Sequence, residues 1–202
     1  MAENYLTINK AVESIYKEKG SKFLSFLYPV TSVDEVKEYL TQLKKKYYDA
    51  THHCYAYIIG ADKEQFRMND DGEPSSTAGK PIYGQLQSNN LTNVLLVVVR
   101  YFGGTKLGVS GLIKAYKESS AECIAIAEIV ERQVKNKYNI YFAYEDMNVV
   151  MNILKQNNAE QKNQIFDLNC KIEVLIEKRN VIKFENSFPP NTTISLEFIS
   201  EE

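Results

Sequence analysis

The sequence predicts an α+β protein made of two domains, and three observations lead to that prediction. An apolar, β-branched run, Val94–Val99, is typical of a strand that is buried on both faces. A glycine-rich loop and a long amphipathic helix follow it. From about residue 128 the chain shows the order β-α-β-β-α-β, the split βαβ pattern of a ferredoxin-like domain. Because Glu131-Arg132-Gln133 is charged and non-periodic, we place the boundary there, with the domains at residues 1–132 and 133–202.

Local signals predict the elements of the first domain in chain order. Strand-like runs at Val12–Glu18 and Lys22–Pro29 flank the turn Gly20-Ser21 and predict a hairpin. Ser32 and Glu35 form a capping box that begins a helix. The remaining elements are a strand over 51–60, a polar loop over 62–80, a short helix over 79–88, a strand over 92–99, and a helix whose buried stripe is Val109, Leu112, Ile113, Tyr116, Ser120, Cys123, Ile124 and Ala127.

The second domain is expected to be a glycine-free scaffold. Its predicted strands are Ile129–Val134, Tyr138–Ala143, Gln164–Asn169, Lys171–Glu177 and Thr193–Ile199, and its predicted helices are Glu145–Asn157 and Asn180–Ser187.

Net charge, cysteine count and hydropathy limit the classes of protein to which the chain could belong. The chain has 202 residues and a formal net charge of −2, so any contact with nucleic acid needs a local basic patch. The cysteines Cys54, Cys123 and Cys170 are odd in number and form no CxxC pair. The start of the chain lacks a signal-like pattern, and we expect a reducing, cytoplasmic location. No apolar stretch is long enough to span a membrane.

An acidic loop is the first candidate site. Asp70, Asp71 and Glu73 fall within four residues, which fits a Mg²⁺ site, an acid/base pair, or a turn whose charges face water. In the strand before it, His52 and Cys54 are expected to share one face, with His53 on the other. One histidine is then a candidate metal ligand or base, and a Cys–His nucleophile pair is a weaker hypothesis than a buried thiol.

Two further segments carry groups that bind phosphate. Residues 75–80 offer hydroxyls, backbone N–H groups and Lys80 before a short helix, which fits either a phosphate cradle or an N-cap. Residues 100–106 combine cations, aromatic rings and bare backbone, which suits phosphate binding and base stacking. The alternative for this second segment is that Arg100 pairs with the acidic loop while Tyr101 and Phe102 complete the core.

Together these segments resemble the YigZ/IMPACT family over essentially the whole chain. The matching pieces are Gly20-Ser21-Lys22-Phe23, Ala50-Thr51-His52-His53-Cys54-Tyr55-Ala56-Tyr57, Asp70-Asp71-Gly72-Glu73-Pro74-Ser75, Thr77-Ala78-Gly79-Lys80-Pro81, Val99-Arg100-Tyr101-Phe102-Gly103-Gly104, Lys106-Leu107-Gly108, Gly111-Leu112 and Ala115-Tyr116. Two positions depart from the family pattern, because Ser76 and Ser110 stand where glycine is expected. A positive φ at either serine would be strained.

The resemblance carries expectations about fold and function. It implies that residues 1–132 are similar to domain IV of elongation factor G, a fold shared with domain 2 of a ribosomal small-subunit protein. Residues 133–202 are then expected to be like domain V of that factor, which is ferredoxin-like. Eukaryotic relatives regulate translation and an amino-acid-starvation kinase pathway by binding another protein, and the resemblance implies no particular reaction.

We therefore expect a translation-associated regulatory binding protein. Its partner would be RNA, the ribosome or a regulatory protein, held in a cleft formed by loops 70–81 and 100–108. The alternative is an enzyme, or a binder of small ligands or phosphate, that uses the acidic loop, His52 and Arg100 with a divalent metal. The candidate binding residues are Arg100, Tyr101, Phe102, Gly103, Gly104, Lys106, Lys80, Ser75, Thr77, His52, Asp70, Asp71 and Glu73; no cofactor, metal ligand or oligomeric state is assigned.

Overall fold

The chain is a mixed α/β protein that divides into two compact units. The structure, a computed structural model, describes residues 2–167, 169–190 and 193–201. One unit is Tyr5–Arg132, and the other is Gln133–Glu202 together with Met1–Asn4. Within the described part of the chain, no helix has the length and apolar character that crossing a membrane requires.

The larger unit is built on a five-stranded antiparallel sheet. Its elements are β1 Asn4–Ile8, β2 Val12–Glu18, β3 Ser21–Pro29, α1 Val33–Lys46, β4 His52–Ile59, β5 Gln65–Asn69, α2 Gly79–Ser88, β6 Val94–Tyr101, α3 Gly108–Ala125 and β7 Ile129–Gln133. The strand order of the sheet is β2-β3-β6-β4-β5, and β1 pairs with β7 in a separate two-stranded sheet. The predicted hairpin, short helix and long helix are confirmed.

Strand β6 is the centre of this unit because both of its faces are covered. Every residue from Val94 to Val99 is fully buried. Val94, Leu96 and Val98 belong to the core that also contains α2 and α3 residues, whereas the odd-numbered residues between them pack in the core on the α1 side. The predicted N-cap of α1 is also confirmed, since Ser32 Oγ accepts from the Glu35 N–H at 3.3 Å, whereas the Glu35 carboxylate accepts from the Thr31 N–H and not from that of Ser32.

Two predictions for this unit are wrong in part. The loop expected over 62–80 contains the edge strand β5, in which four of the five residues are exposed. On α3, Val109 and Ile113 were expected to be buried, but they are 59% and 40% exposed. Ile113 lines a groove shared with α2, and Val109 lies one turn earlier.

The smaller unit contains one antiparallel sheet. Its elements are β8 Lys135–Ala143, α4 Met147–Gln156, β9 Glu160–Ile165, β10 Asn169–Glu177, α5 Val181–Glu185 and β11 Ser195–Glu201, and the strand order is β11-β8-β10-β9. This is the predicted β-α-β-β-α-β order. The strand expected over 164–169 lies instead at β9, Glu160–Ile165. The sequence pattern misplaced it because an exposed edge strand needs few apolar residues.

Candidate functional site

A buried polar network joins the acidic loop to the end of β6. Arg100 Nη1 donates to Glu73 Oε1 at 2.6 Å, and the Tyr116 hydroxyl donates to the same oxygen at 2.9 Å. The side chains of Arg100 and Glu73 are only 6% and 4% exposed. Of the two alternatives for Arg100, the structure therefore shows the ion pair with the acidic loop.

The register of the sheet explains why these groups meet. His52 on β4 and Phe23 on β3 are both paired with Arg100 on β6, so the three side chains form one row on the same face. The guanidinium carbon lies 5.5 Å from the centre of the Phe23 ring and 5.8 Å from that of Phe102. His52 Nε2 lies 3.8 Å from Glu73 Oε1. The predicted convergence of His52, Glu73 and Arg100 is present, but their contacts are with one another.

Cys54 takes part in the same network as a neutral group. As predicted, it shares a face with His52: its thiol donates to the Tyr116 hydroxyl oxygen at 3.2 Å and lies 3.0 Å from the Asp70 carbonyl oxygen. Burial raises the pKa of the Cys54 thiol and of the Tyr116 hydroxyl well above their ordinary values. This environment favours the protonated thiol, and it therefore favours the buried-thiol alternative over a Cys–His nucleophile pair.

Asp70 fills the expected phosphate cradle. Its Oδ1 accepts from the backbone N–H groups of Ala78 and Gly79 at 2.9 and 2.8 Å, and its Oδ2 accepts from Ser76 N–H at 2.9 Å. The Thr77 hydroxyl is also used internally, because it donates to a backbone carbonyl oxygen at 2.6 Å. These N–H groups already hold a carboxylate, so they favour the capping alternative over a phosphate site.

Asp71 has a third set of partners. Its Oδ2 accepts from the His53 backbone N–H at 2.7 Å, and its carbonyl oxygen lies 2.8 Å from His52 Nδ1. Asp70, Asp71 and Glu73 thus point to three different partners. Across the residues that the structure describes, no group of three or more histidine, cysteine, aspartate or glutamate side chains could hold a metal ion.

The glycines of the loop after β6 serve two purposes. A Cβ at Gly103 would lie 1.9 Å from the backbone carbon of Gly20, so the bare backbone predicted to approach a ligand instead approaches the β2–β3 hairpin. Ser21 Oγ accepts from the Gly103 N–H at 3.2 Å and fixes this contact. Gly104 has φ +85° and open space around it, which makes it a turn residue.

The exposed part of the candidate site lies beside the hairpin. Phe102 is 49% exposed, and the Tyr101 hydroxyl donates to Asp49 at 2.8 Å. Both rings line a groove of ≈ 530 Å³, which we call the hairpin groove. Its other lining residues are Ile15, Lys17, Gly20, Lys22, Leu24 and Asp49.

Sequence reasoning missed two lysines of the hairpin groove. Lys17 is paired with Lys22 across β2 and β3, and Lys22 is paired with Tyr101 across β3 and β6. The predicted turn, Gly20-Ser21, would set Lys19 opposite Lys22, whereas the chain turns at Lys19-Gly20, and this earlier turn sets Lys17 opposite Lys22. Of the other predicted cations, Lys106 is exposed on its loop, and Lys80 lines a different groove.

Fold and site together define a two-unit α/β protein whose larger unit is organised around a buried arginine–glutamate–tyrosine network. The family model of the Impact N-terminal domain matches residues 19–124. The chain belongs to the IMPACT family, which confirms the resemblance of its motifs.

Known relatives cover both units. The chain is 34% identical to IMPACT family member YvyE of Bacillus subtilis over 184 residues, which cover 91% of this chain and 85% of that protein. It is 28% identical to IMPACT family member YigZ of Escherichia coli over 99% of both chains. A crystal structure of a hypothetical protein aligns over 100% of both chains with 28% identity and a TM-score of 0.78, which places the chain in a known mixed α/β architecture.

Proposed function

We propose that this protein is a regulatory binding protein of translation that acts in the cytoplasm and binds single-stranded RNA, free or on the ribosome, through the hairpin groove. Membership of the IMPACT family supports the link to translation. The expected likeness of the two units to domains IV and V of elongation factor G belongs to the same proposal, since such domains would suit a ribosomal partner.

The observation that carries the RNA proposal is the placement of Phe102 and Tyr101 beside Lys17 and Lys22. Proteins bind single strands by stacking bases on aromatic rings and by placing cations along the phosphates. The Phe102 ring is half exposed, and its inner side lies against the Arg100 guanidinium. A base stacked on the outer side would meet a ring that is already held in position.

The alternative of an enzyme or small-ligand site has less support. Its proposed groups were the acidic loop, His52 and Arg100. Arg100 and Glu73 are buried against each other, and Asp70 holds three backbone N–H groups. These contacts leave the groups engaged in holding the loop, so the exposed hairpin groove is the better binding surface.

The test is binding of single-stranded RNA and of ribosomes by the full chain over a salt series. We expect the affinity to fall steeply between about 50 and 200 mM salt. Phe102→Ala is expected to weaken RNA binding about 5- to 100-fold, because it removes one stacking surface. The double variant K17Q/K22Q is expected to reduce the salt slope by about 1.4, since each phosphate contact to a single strand contributes about 0.7.

Lys45→Gln is the matched control, because Lys45 is an exposed lysine on α1, outside the hairpin groove. It should bind RNA as the unmodified chain does. Absence of binding to RNA and ribosomes at low salt would contradict the proposal. Binding that is unchanged in Phe102→Ala and in K17Q/K22Q would show that the hairpin groove is not the site.

A further inference from the structure

A second groove of the larger unit lies between α2 and α3, and we call it the α2–α3 groove. Its volume is ≈ 450 Å³. It is separate from the hairpin groove and shares no lining residue with it. Its lining residues include Lys80, Pro81, Gly84, Gln85, Ile113 and Lys117.

Gly84 is the first sign that something covers this groove. It lies in the middle of α2, where glycine is unfavourable relative to alanine. A Cβ added to it would meet nothing within 4 Å, so packing within the chain does not require glycine there. The missing side chain instead leaves the backbone of α2 open to close approach from outside.

The wall opposite Gly84 is aliphatic. Ile113 is 40% exposed and Val109, one turn before it on α3, is 59% exposed. Pro81 lies on the α2 side. A large apolar side chain seated in the groove would therefore contact aliphatic surface on both helices, which is how an amphipathic helix is held in a groove.

The rim of the groove is positively charged. Among the described residues that line it, Lys80 and Lys117 are the charged ones, and none is an aspartate or a glutamate. Over the described ranges 2–167, 169–190 and 193–201, neither lysine has a carboxylate partner. A partner whose charge complements this rim would carry acidic side chains. A single-stranded RNA is disfavoured because the groove is lined by no aromatic ring on which a base would stack.

We propose that the α2–α3 groove binds an acidic amphipathic helix of a protein partner. Its apolar side chains would lie over Gly84 between Pro81 and Ile113, and its carboxylates would pair with Lys80 and Lys117. The proposal does not depend on RNA binding at the hairpin groove. It gives the larger unit a protein-binding surface in addition to its RNA-binding surface.

The probe is a synthetic peptide of about 16 residues made of leucine, alanine and glutamate, with leucines at i, i+3, i+4 and i+7. It is titrated into the isotope-labelled full chain while amide NMR signals are followed. We expect saturable binding below about 1 mM, with the largest shifts at Gly84, Ile113 and Lys117. A peptide of the same composition in scrambled order is expected to bind at least about tenfold more weakly, because its apolar face is lost.

Two kinds of variant locate the site. Gly84→Leu fills the groove and is expected to lower the affinity at least about tenfold, whereas Gly84→Ala adds only a methyl group and should stay within about threefold. The double variant K80E/K117E is expected to abolish binding, while Lys45→Glu leaves it unchanged. K80E/K117E also carries the test if Gly84→Leu fails to fold, because both lysines are exposed.

Several outcomes would overturn the proposal. These are no saturable binding below about 1 mM, equal binding of the scrambled peptide, and affinity that persists in Gly84→Leu and in K80E/K117E. Displacement of the peptide from the groove by single-stranded RNA that binds more tightly would also overturn it, and would assign the groove to nucleic acid. RNA binding in K80E/K117E is expected to be unchanged, so failure here is separate from failure at the hairpin groove.

Discussion

Replacing Glu73 by glutamine tests whether the buried network is structural. The change keeps the shape of the side chain but removes the charge that faces Arg100 at 2.6 Å. Both side chains are more than nine-tenths buried, so solvent cannot replace the lost partner, and an arginine does not lose its proton in a protein. Breaking a buried ion pair from one side costs about 3–5 kcal/mol, a large part of the roughly 5–15 kcal/mol that holds a typical domain folded.

A double-variant cycle separates the ion pair from the other roles of each residue. Arg100→Met keeps an apolar contact with the Phe23 and Phe102 rings but leaves the Glu73 carboxylate without its cation. The combined variant E73Q/R100M has neither charge. We expect it to be destabilised by at least about 2 kcal/mol less than the sum of the single variants, because contacting residues are strongly coupled.

The assay is urea unfolding followed by far-UV circular dichroism, since the chain has no tryptophan. Hydrogen exchange supplies the local measurement: amides of β6 are expected to lose protection in Glu73→Gln, while those of β10 in the other unit serve as the internal reference. A loss below about 1 kcal/mol in Glu73→Gln, or strict additivity in the cycle, would refute the reasoning. Arg100 would then be available for a ligand.

Three further predictions concern backbone strain, close packing and pH. Ser76→Gly is expected to raise the free energy of unfolding by about 0.5–1 kcal/mol, because Ser76 has φ +63° where glycine is unstrained; thermal unfolding measures this, and a lower melting temperature would contradict it. Gly103→Ala is expected to cost about 1–3 kcal/mol through its collision with Gly20, whereas Gly104→Ala, with open space, should be affected only by its positive φ; equal behaviour of the two variants in urea would argue against the collision. Burial lowers the pKa of His53, so the unfolded chain binds a proton more readily and stability is expected to fall as the pH drops through the ordinary histidine pKa of about 6.5. His53→Gln should show a weaker loss of melting temperature on acidification, and an identical pH profile would refute this assignment.

Features with a local signal could be predicted from the sequence. The N-cap of α1 at Ser32, the buried run of β6 and the turn at Gly20 each depend on residues a few positions apart. The shared face of His52 and Cys54 follows from the period of a strand. Each of these is confirmed because tertiary contacts act in the same direction as the local preference.

Features that depend on the path of a loop could not be predicted. The sequence places Asp70 near the start of α2, but only the folded loop aims its carboxylate at the Ala78 and Gly79 N–H groups. The choice between a buried and a free Arg100 is of the same kind, because it depends on how closely Glu73 approaches the end of β6. Edge strand β5 escaped detection since exposed strands need few apolar residues.

The buried and the exposed parts of the family motif are physically connected. Ser21 Oγ accepts from Arg100 Nη2 at 3.4 Å and from the Gly103 N–H at 3.2 Å. The same serine therefore ties the β2–β3 hairpin both to the buried network and to the loop that carries Phe102. Because Lys22 directly follows Ser21, this tie sets the spacing between the cation and the aromatic ring of the hairpin groove. At the proposed RNA-binding surface, the buried arginine would act by positioning the exposed groups, without contacting the ligand.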